Sequence, residues 1–168
     1  MKIIQSTIVD IAKKKSALYD LANDMSRCYG VNFTSRTFNY QLSTERAEPA
    51  FQLWHLQDVF YDWKKGEFYT KKKVAGSIEA SNYDDSRSKI FLNFSNKNAF
   101  VASEDIAKYT EVFWQEVAVH FILPPTHVYL HDPNFDSVFA SGVFWQFCYI
   151  YLNNTTKQGI VLEGSATD

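Results

Sequence analysis

Cysteine is scarce in this chain. Cys28 and Cys148 lie far apart, whereas small disulfide-stapled domains carry more cysteines at closer spacings. Two buried free thiols in a reducing cytoplasm are expected instead. Long apolar runs are also missing, and none is long enough to cross a bilayer. Met1-Lys2-Ile3-Ile4 leads into polar residues and not into the apolar stretch of a signal peptide. A soluble, cytoplasmic protein is therefore expected. No glycine-rich loop is present to cradle a phosphate. No Gly-x-Ser-x-Gly elbow is present to raise a nucleophile. Internal repeats, low-complexity tracts and linkers are absent too.

What is abundant is aromatic. Phe, Trp and Tyr make up 17% of the 168 residues. Hydrophobic residues are 46% and charged residues 21%, the balance of one globular domain that can bury a core without staples. Large rings serve either a core or a recognition surface, where Tyr and Trp are enriched. Net charge is −2. Residues 1–90 carry a net +3 and residues 91–168 a net −5; folding can interleave the two halves, so the asymmetry weighs little.

Periodicity predicts an α+β domain, a mainly antiparallel sheet packed against two principal helices. Ile8, Ile11, Leu18, Leu21, Met25 and Cys28 recur at helical spacing and predict a helix over 6–29, closed by Gly30. Val31 to Leu42 alternates as a strand. Segment 50–70 reads as a short helix over 50–57 followed by strands; a hairpin of Phe60–Trp63 with Phe68–Thr70 competes for its second half. Lys71–Ala80 reads as a strand, 81–87 as a loop, and 89–94 as a strand with Ile90, Leu92 and Phe94 on one face. Ser103-Glu104-Asp105 opens a helix over 103–122, whose stripe is Ile106, Tyr109, Phe113, Val117 and Phe121. Leu123-Pro124-Pro125 stops it. Thr126–Leu130 is a strand, 131–136 a turn, and 137–142 a helical turn or loop.

Nine of the ten residues in Val143–Leu152 are apolar or aromatic, on both parities. Such a strand is covered on both faces. Turn residues 153–159 and the run Ile160-Val161-Leu162 complete a C-terminal hairpin. Helix 103–122 is expected on one face of it, and helix 6–29 or a partner subunit on the other. Whether Trp145, Tyr149 and Tyr151 are exposed decides whether the aromatic surplus is core or binding surface.

Candidate chemistry is thin. His120, His127, His131, Asp132 and Asp136 form a histidine-rich corner. On a strand, His127 and His131 stand about 13 Å apart at roughly 3.3 Å per residue, too far to share one zinc at about 2.0–2.1 Å. Ser141 or Cys148 with His127 and Asp132 could make a triad, but a thiol among aromatics has a raised pKa and is inert. A metal-dependent or histidine-based hydrolase at His127, His131 and Asp132 is the alternative reading. Lys13–Lys15, Lys64-Lys65 and Lys71–Lys73, with Trp63, Phe68 and Tyr69 between them, have the composition of a single-strand nucleic-acid groove. A solvated face or an edge strand guarded by lysines explains that strip better, and its arginines are missing.

The favoured expectation is a non-enzymatic protein-binding module with no catalytic residue, metal or cofactor. Its candidate contacts are the acidic residues Asp84, Asp85, Glu104, Asp105, Glu111, Glu116, Asp132 and Asp136, which would steer a basic partner. In general style the chain resembles bacterial immunity proteins, small aromatic-rich α+β domains without active sites. Its closing run, from Phe144-Trp145-Gln146-Phe147 through Gly164-Ser165-Ala166-Thr167-Asp168, is similar to their terminal hairpins. The resemblance implies a partner that is a cognate toxin; it carries over no functional residue. A homodimer is also compatible with the sequence.

Overall fold

The computed structural model describes residues 2–9, 11, 16–20, 30–41, 61–62, 67–68, 77–95, 106–132 and 143–167. Side chains are described for a subset of these. The elements are β1 (Lys2–Val9), β2 (Gly30–Gln41), β3 (Tyr61–Asp62), β4 (Glu67–Phe68) and β5 (Ser77–Ser81). Then come helices α1 (Tyr83–Phe94) and α2 (Ile106–His120), and strands β6 (His127–Asp132), β7 (Val143–Asn153) and β8 (Gln158–Thr167). Six strands form one sheet in the order β1-β2-β8-β7-β6-β5, while β3 and β4 pair separately. Every pairing is antiparallel. The α+β class and the C-terminal hairpin stand as expected.

β7 lies inside the sheet, between β8 and β6. Its alternate residues Trp145, Phe147, Tyr149 and Tyr151 join Ile160, Leu162 and Ala166 of β8 in the main core cluster. α1 adds Ile90 and Phe94 to that cluster; α2 adds Ile106, Phe113, Trp114 and Val117. Both helices therefore cover the same face of the sheet. The intervening residues of the hairpin, Cys148, Ile150, Leu152, Val161 and Glu163, point the other way and are buried as well. The two-parity pattern thus marks a strand buried on both faces.

Rings interlock on the helix side. Phe94 meets Phe113 and Trp145 at 5.6 Å, edge to face, and Phe113 meets Phe147 at 5.9 Å. Two glycines make room on the paired strands. Gly164 faces Phe33 and Phe147 in register, and a Cβ on it would come within 2.5 Å of the Phe147 ring. Gly159 faces Phe38, whose ring would lie 2.2 Å from an added Cβ. The β7–β8 turn is held by Asn153 Oδ1, which accepts from the backbone N–H groups of Thr155 and Thr156, an Asx turn.

Three expectations are corrected. The helix over 6–29 does not begin at Ser6: residues 6–9 belong to β1, which pairs with β2 from Lys2↔Gln41 to Val9↔Ser35. Ile3, Ile4, Thr7, Ile8 and Val9 are β-branched, and an adjacent strand to pair with outweighs the spacing of Ile8 and Ile11. Helical backbone within that span is described at 17–20, and 21–29 lies outside the described residues. The loop over 81–87 and the strand over 89–94 are instead one helix, α1. The buried residues are Ser86, Ile90 and Phe94, a spacing of four, and the strand-like alternation at Leu92 was coincidental. Asn82 caps this helix: its Oδ1 accepts from Asp85 N at 2.8 Å. Finally, β6 runs on through His131 and Asp132, where a turn was expected.

α2 falls inside the expected 103–122 span, with Phe113, Val117 and Phe121 buried as the stripe requires. Trp114 is buried too, outside that stripe. Of segment 50–70, the described part is the β3–β4 pairing, Tyr61↔Phe68 and Asp62↔Glu67; the helix expected over 50–57 and the loop over 137–142 lie outside the described residues. No described helix is long and apolar enough to cross a membrane.

Candidate functional site

Trp145, Tyr149 and Tyr151 are all buried. The aromatic run at the hairpin is core, so a recognition surface has to be sought elsewhere. The outer side of the helix layer supplies one. Four large apolar side chains are exposed there: Phe91 at 42%, Leu92 at 64%, Val119 at 71% and Ile122 at 58%. Isolated exposed apolar residues are ordinary. These four lie on or just beyond the two adjacent helices.

Between the helices runs an open groove of about 470 Å3, lined by Arg87, Phe91, Ala107, Thr110, Glu111, Trp114, Gln115 and Ala118. Helical spacing builds it. Tyr83, Arg87 and Phe91 recur every four residues on α1, beside the buried series Ser86, Ile90 and Phe94. On α2, Ala107, Thr110 or Glu111, Trp114 and Ala118 recur every three or four. The two alanines keep that wall low. Thr110 turns its hydroxyl onto its own helix, donating to the Ile106 carbonyl. Val119 and Ile122 lie outside that lining, Val119 about 100° around α2 from Ala118.

Arg87 stands at the groove. Its guanidinium carbon is 5.4 Å from the centroid of the Tyr83 ring and 5.6 Å from that of Trp114, within cation–π reach of both. Burial raises the pKa of Tyr83, and the neighbouring Arg87 charge partly offsets this. Beneath it, Trp114 stacks on Tyr151 at 6.1 Å. The Tyr151 hydroxyl shares a 2.6 Å hydrogen bond with Ser86. Burial pushes its pKa up strongly. The groove is thus mounted on a stiff aromatic stack that reaches the central strand.

Among the described residues the acidic candidates are spread over α1, α2 and β6. Asp84 and Asp85 sit in the first turn of α1, where carboxylates suit the helix dipole, and Asp85 also accepts from the Asn82 amide. Glu111 lines the groove and accepts from Gln115 Nε2 at 3.1 Å. Glu116 lies five residues on, roughly 140° around the helix at 3.6 residues per turn. Asp132 ends β6 opposite Ser77. Glu104, Asp105 and Asp136 lie outside the described residues.

The histidine corner is likewise dispersed. His127 and His131 share β6 four positions apart. His127 Nδ1 bonds Thr126 Oγ1 at 3.0 Å. His120 ends α2. Among the described residues no three of His, Cys, Asp and Glu come together as metal ligands. His127 sits across from Leu152, about 13 Å along β7 from Cys148 at roughly 3.3 Å per residue, so they make no dyad. Ser141 lies outside the described residues. So do Trp63 and Tyr69 and all the lysines of the basic strip.

One titratable pair escaped the sequence reading. Cys148 and Glu163 face each other across β7 and β8, and both are buried. Burial raises the Glu163 carboxyl to about 8, offset in part by its hydrogen bond with Cys148. Burial, with the nearby carboxyl, pushes the Cys148 thiol well above its ordinary value. A protonated acid beside a protonated, sealed thiol is poorly suited to nucleophilic work. The glutamate was hidden because Glu163 reads as the solvated position of a terminal strand.

No family model matches the sequence, and neither does any curated protein. Among solved structures, the crystal structure of citrus MAF1 is similar over 90% of this chain and 99% of that one, at 13% sequence identity and a TM-score of 0.47. A likeness at that level carries no argument about activity or partners.

Proposed function

We propose that this chain is a non-enzymatic protein-binding module that receives its partner on the outer side of the α1–α2 pair. The observation that carries the reading is the open groove walled by Phe91 and Trp114, on a helix pair that also exposes Leu92, Val119 and, just past its end, Ile122. A patch of this kind on a mounted scaffold suits a protein contact, with a buried centre and a polar rim. Thr110, Glu111 and Gln115 supply the rim, with Asp84 and Asp85 further along α1. Arg87 and Trp114 are the residue types that dominate binding energy at such contacts.

Cross-linking the chain in its own cell, then rebinding the purified pair, tests this. Contacts should map to α1 and α2, and the double variant Phe91→Asp, Val119→Asp should lower affinity about a thousandfold, since each anchor contributes about 2 kcal/mol. Undiminished binding by a folded double variant would overturn the reading.

The narrower reading, an immunity-type protein that neutralises a toxin, is supported by the general style of the sequence. Its test is separate: the product of the adjacent gene should be toxic alone and bind this chain. An adjacent product that does neither removes that reading and leaves the docking surface in place.

A further inference from the structure

The lining of the groove holds one cation, Arg87. Arg87 is fixed against the rings of Tyr83 and Trp114 and hydrogen-bonds Tyr83, which leaves further donors of its guanidinium fork for a ligand. Glu111, the acid that lines the same groove, is turned along α2 to Gln115. A guanidinium held by ring faces keeps its planar fork in place, so little freedom is lost when it meets a carboxylate. Around it the lining mixes polar Thr110, Glu111 and Gln115 with apolar and small residues. Phe91 and Trp114 give the walls, and Ala107 and Ala118 give the room for close approach.

The shape selects the form of the ligand. An added β-strand needs an open sheet edge to supply main-chain hydrogen bonds, and the backbone groups of α1 and α2 are already bonded within their helices. A groove between two helices instead accepts an amphipathic helix, read through side chains spaced i, i+4 and i+7. Nucleic acid is disfavoured. Tracking phosphates takes several cations, and this lining offers one, beside a glutamate.

We propose that the partner's docking element is an amphipathic helix whose apolar stripe fills the α1–α2 groove and whose flank places a carboxylate on Arg87. This rests on the docking surface proposed above and names the chemistry of its ligand. The contact is a charge-assisted, bidentate pair at the margin of an apolar interface, the setting in which arginine discriminates best between partners.

A displayed library of helical peptides tests it. The stripe positions vary among Leu, Ile, Met, Phe and Trp, and one flanking position is fully randomised. Selection is made on the folded chain, with folded Phe91→Asp as the counter-target. Binders should be enriched over the counter-target and should carry Asp or Glu at the flank. Exchanging that residue for Lys should weaken binding about tenfold or more. Arg87→Glu should invert the preference, and Arg87→Lys should keep its sign while reducing it. Binders enriched without an acidic flank, or indifferent to Arg87→Glu, overturn the carboxylate contact and leave the docking surface standing. No enrichment over Phe91→Asp overturns both.

Discussion

The two sides of the helix pair use the same kinds of residue for different ends. On the inner side Ile90, Phe94, Phe113 and Val117 are sealed against β7 and β8. On the outer side Phe91, Leu92 and Val119 face water. Neighbours in sequence, Ile90 with Phe91 and Phe113 with Trp114, are separated by about 100° of helix rotation. The inner side is coupled through several rings at once, so its residues are expected to carry the stability. The outer side makes fewer contacts within the chain, so its residues can change with little effect on folding. A surface with that freedom and that apolar content is where binding can be placed without burdening the core.

The largest expected effect breaks the inner side. Phe113 contacts Phe33, Phe94, Trp114 and Phe147. Phe113→Ala should lower stability by about 3–5 kcal/mol, the range for an aromatic cavity, in a urea titration. A loss as small as an exposed site gives would show that the inner side is not the core.

The second prediction concerns the other face of the sheet. Burial raises Glu163 from its ordinary value of 4.5 to about 8 in the folded chain. Below the lower value both states hold the proton, and stability is greatest with respect to this group. Between the two values the unfolded chain ionises and the folded chain does not. Stability therefore falls as pH rises, by about 1.4 kcal/mol per unit where that difference is complete. Above the folded value both are ionised and the loss is complete. Melting curves from pH 5 to pH 8 should converge on a flatter profile in Glu163→Gln. Parallel profiles for the two proteins would contradict the buried acid.

A smaller effect separates α1 from the strand it was expected to be. Asn82→Ala removes the cap on Asp85 N and should cost about 1 kcal/mol. The expected loop over 81–87 leading into a strand would show no such loss, and the same denaturant titration reads it.

The misreading of α1 follows from the comparison itself. Ile90, Leu92 and Phe94 alternate like a strand face only if Leu92 is assumed to be buried, and it is 64% exposed. Sequence patterning treats apolar as interior, and an exposed apolar side chain such as Leu92 violates that rule. The helical alternative was present in Asn82 with Asp84 and Asp85, a capped and acidic first turn. α2 was legible because its stripe of Ile106, Phe113 and Val117 belongs to the inner side and follows the rule. The central place of β7 was legible from its two apolar parities. β1 was not, because helical and alternating patterns overlap at Ile8 and its pairing with β2 is non-local. The site was legible only in part. Glu111 was among the acidic candidates, whereas Arg87 and Trp114 gained meaning only when two helices distant in sequence set them together.

The most direct test measures one variant in two ways. Phe91→Asp should change unfolding free energy by no more than about 0.5 kcal/mol, as an exposed substitution does, while lowering affinity for the cross-linked partner about thirtyfold or more. Unchanged stability with weakened binding is the result the account predicts. Unchanged binding by the folded variant would contradict it.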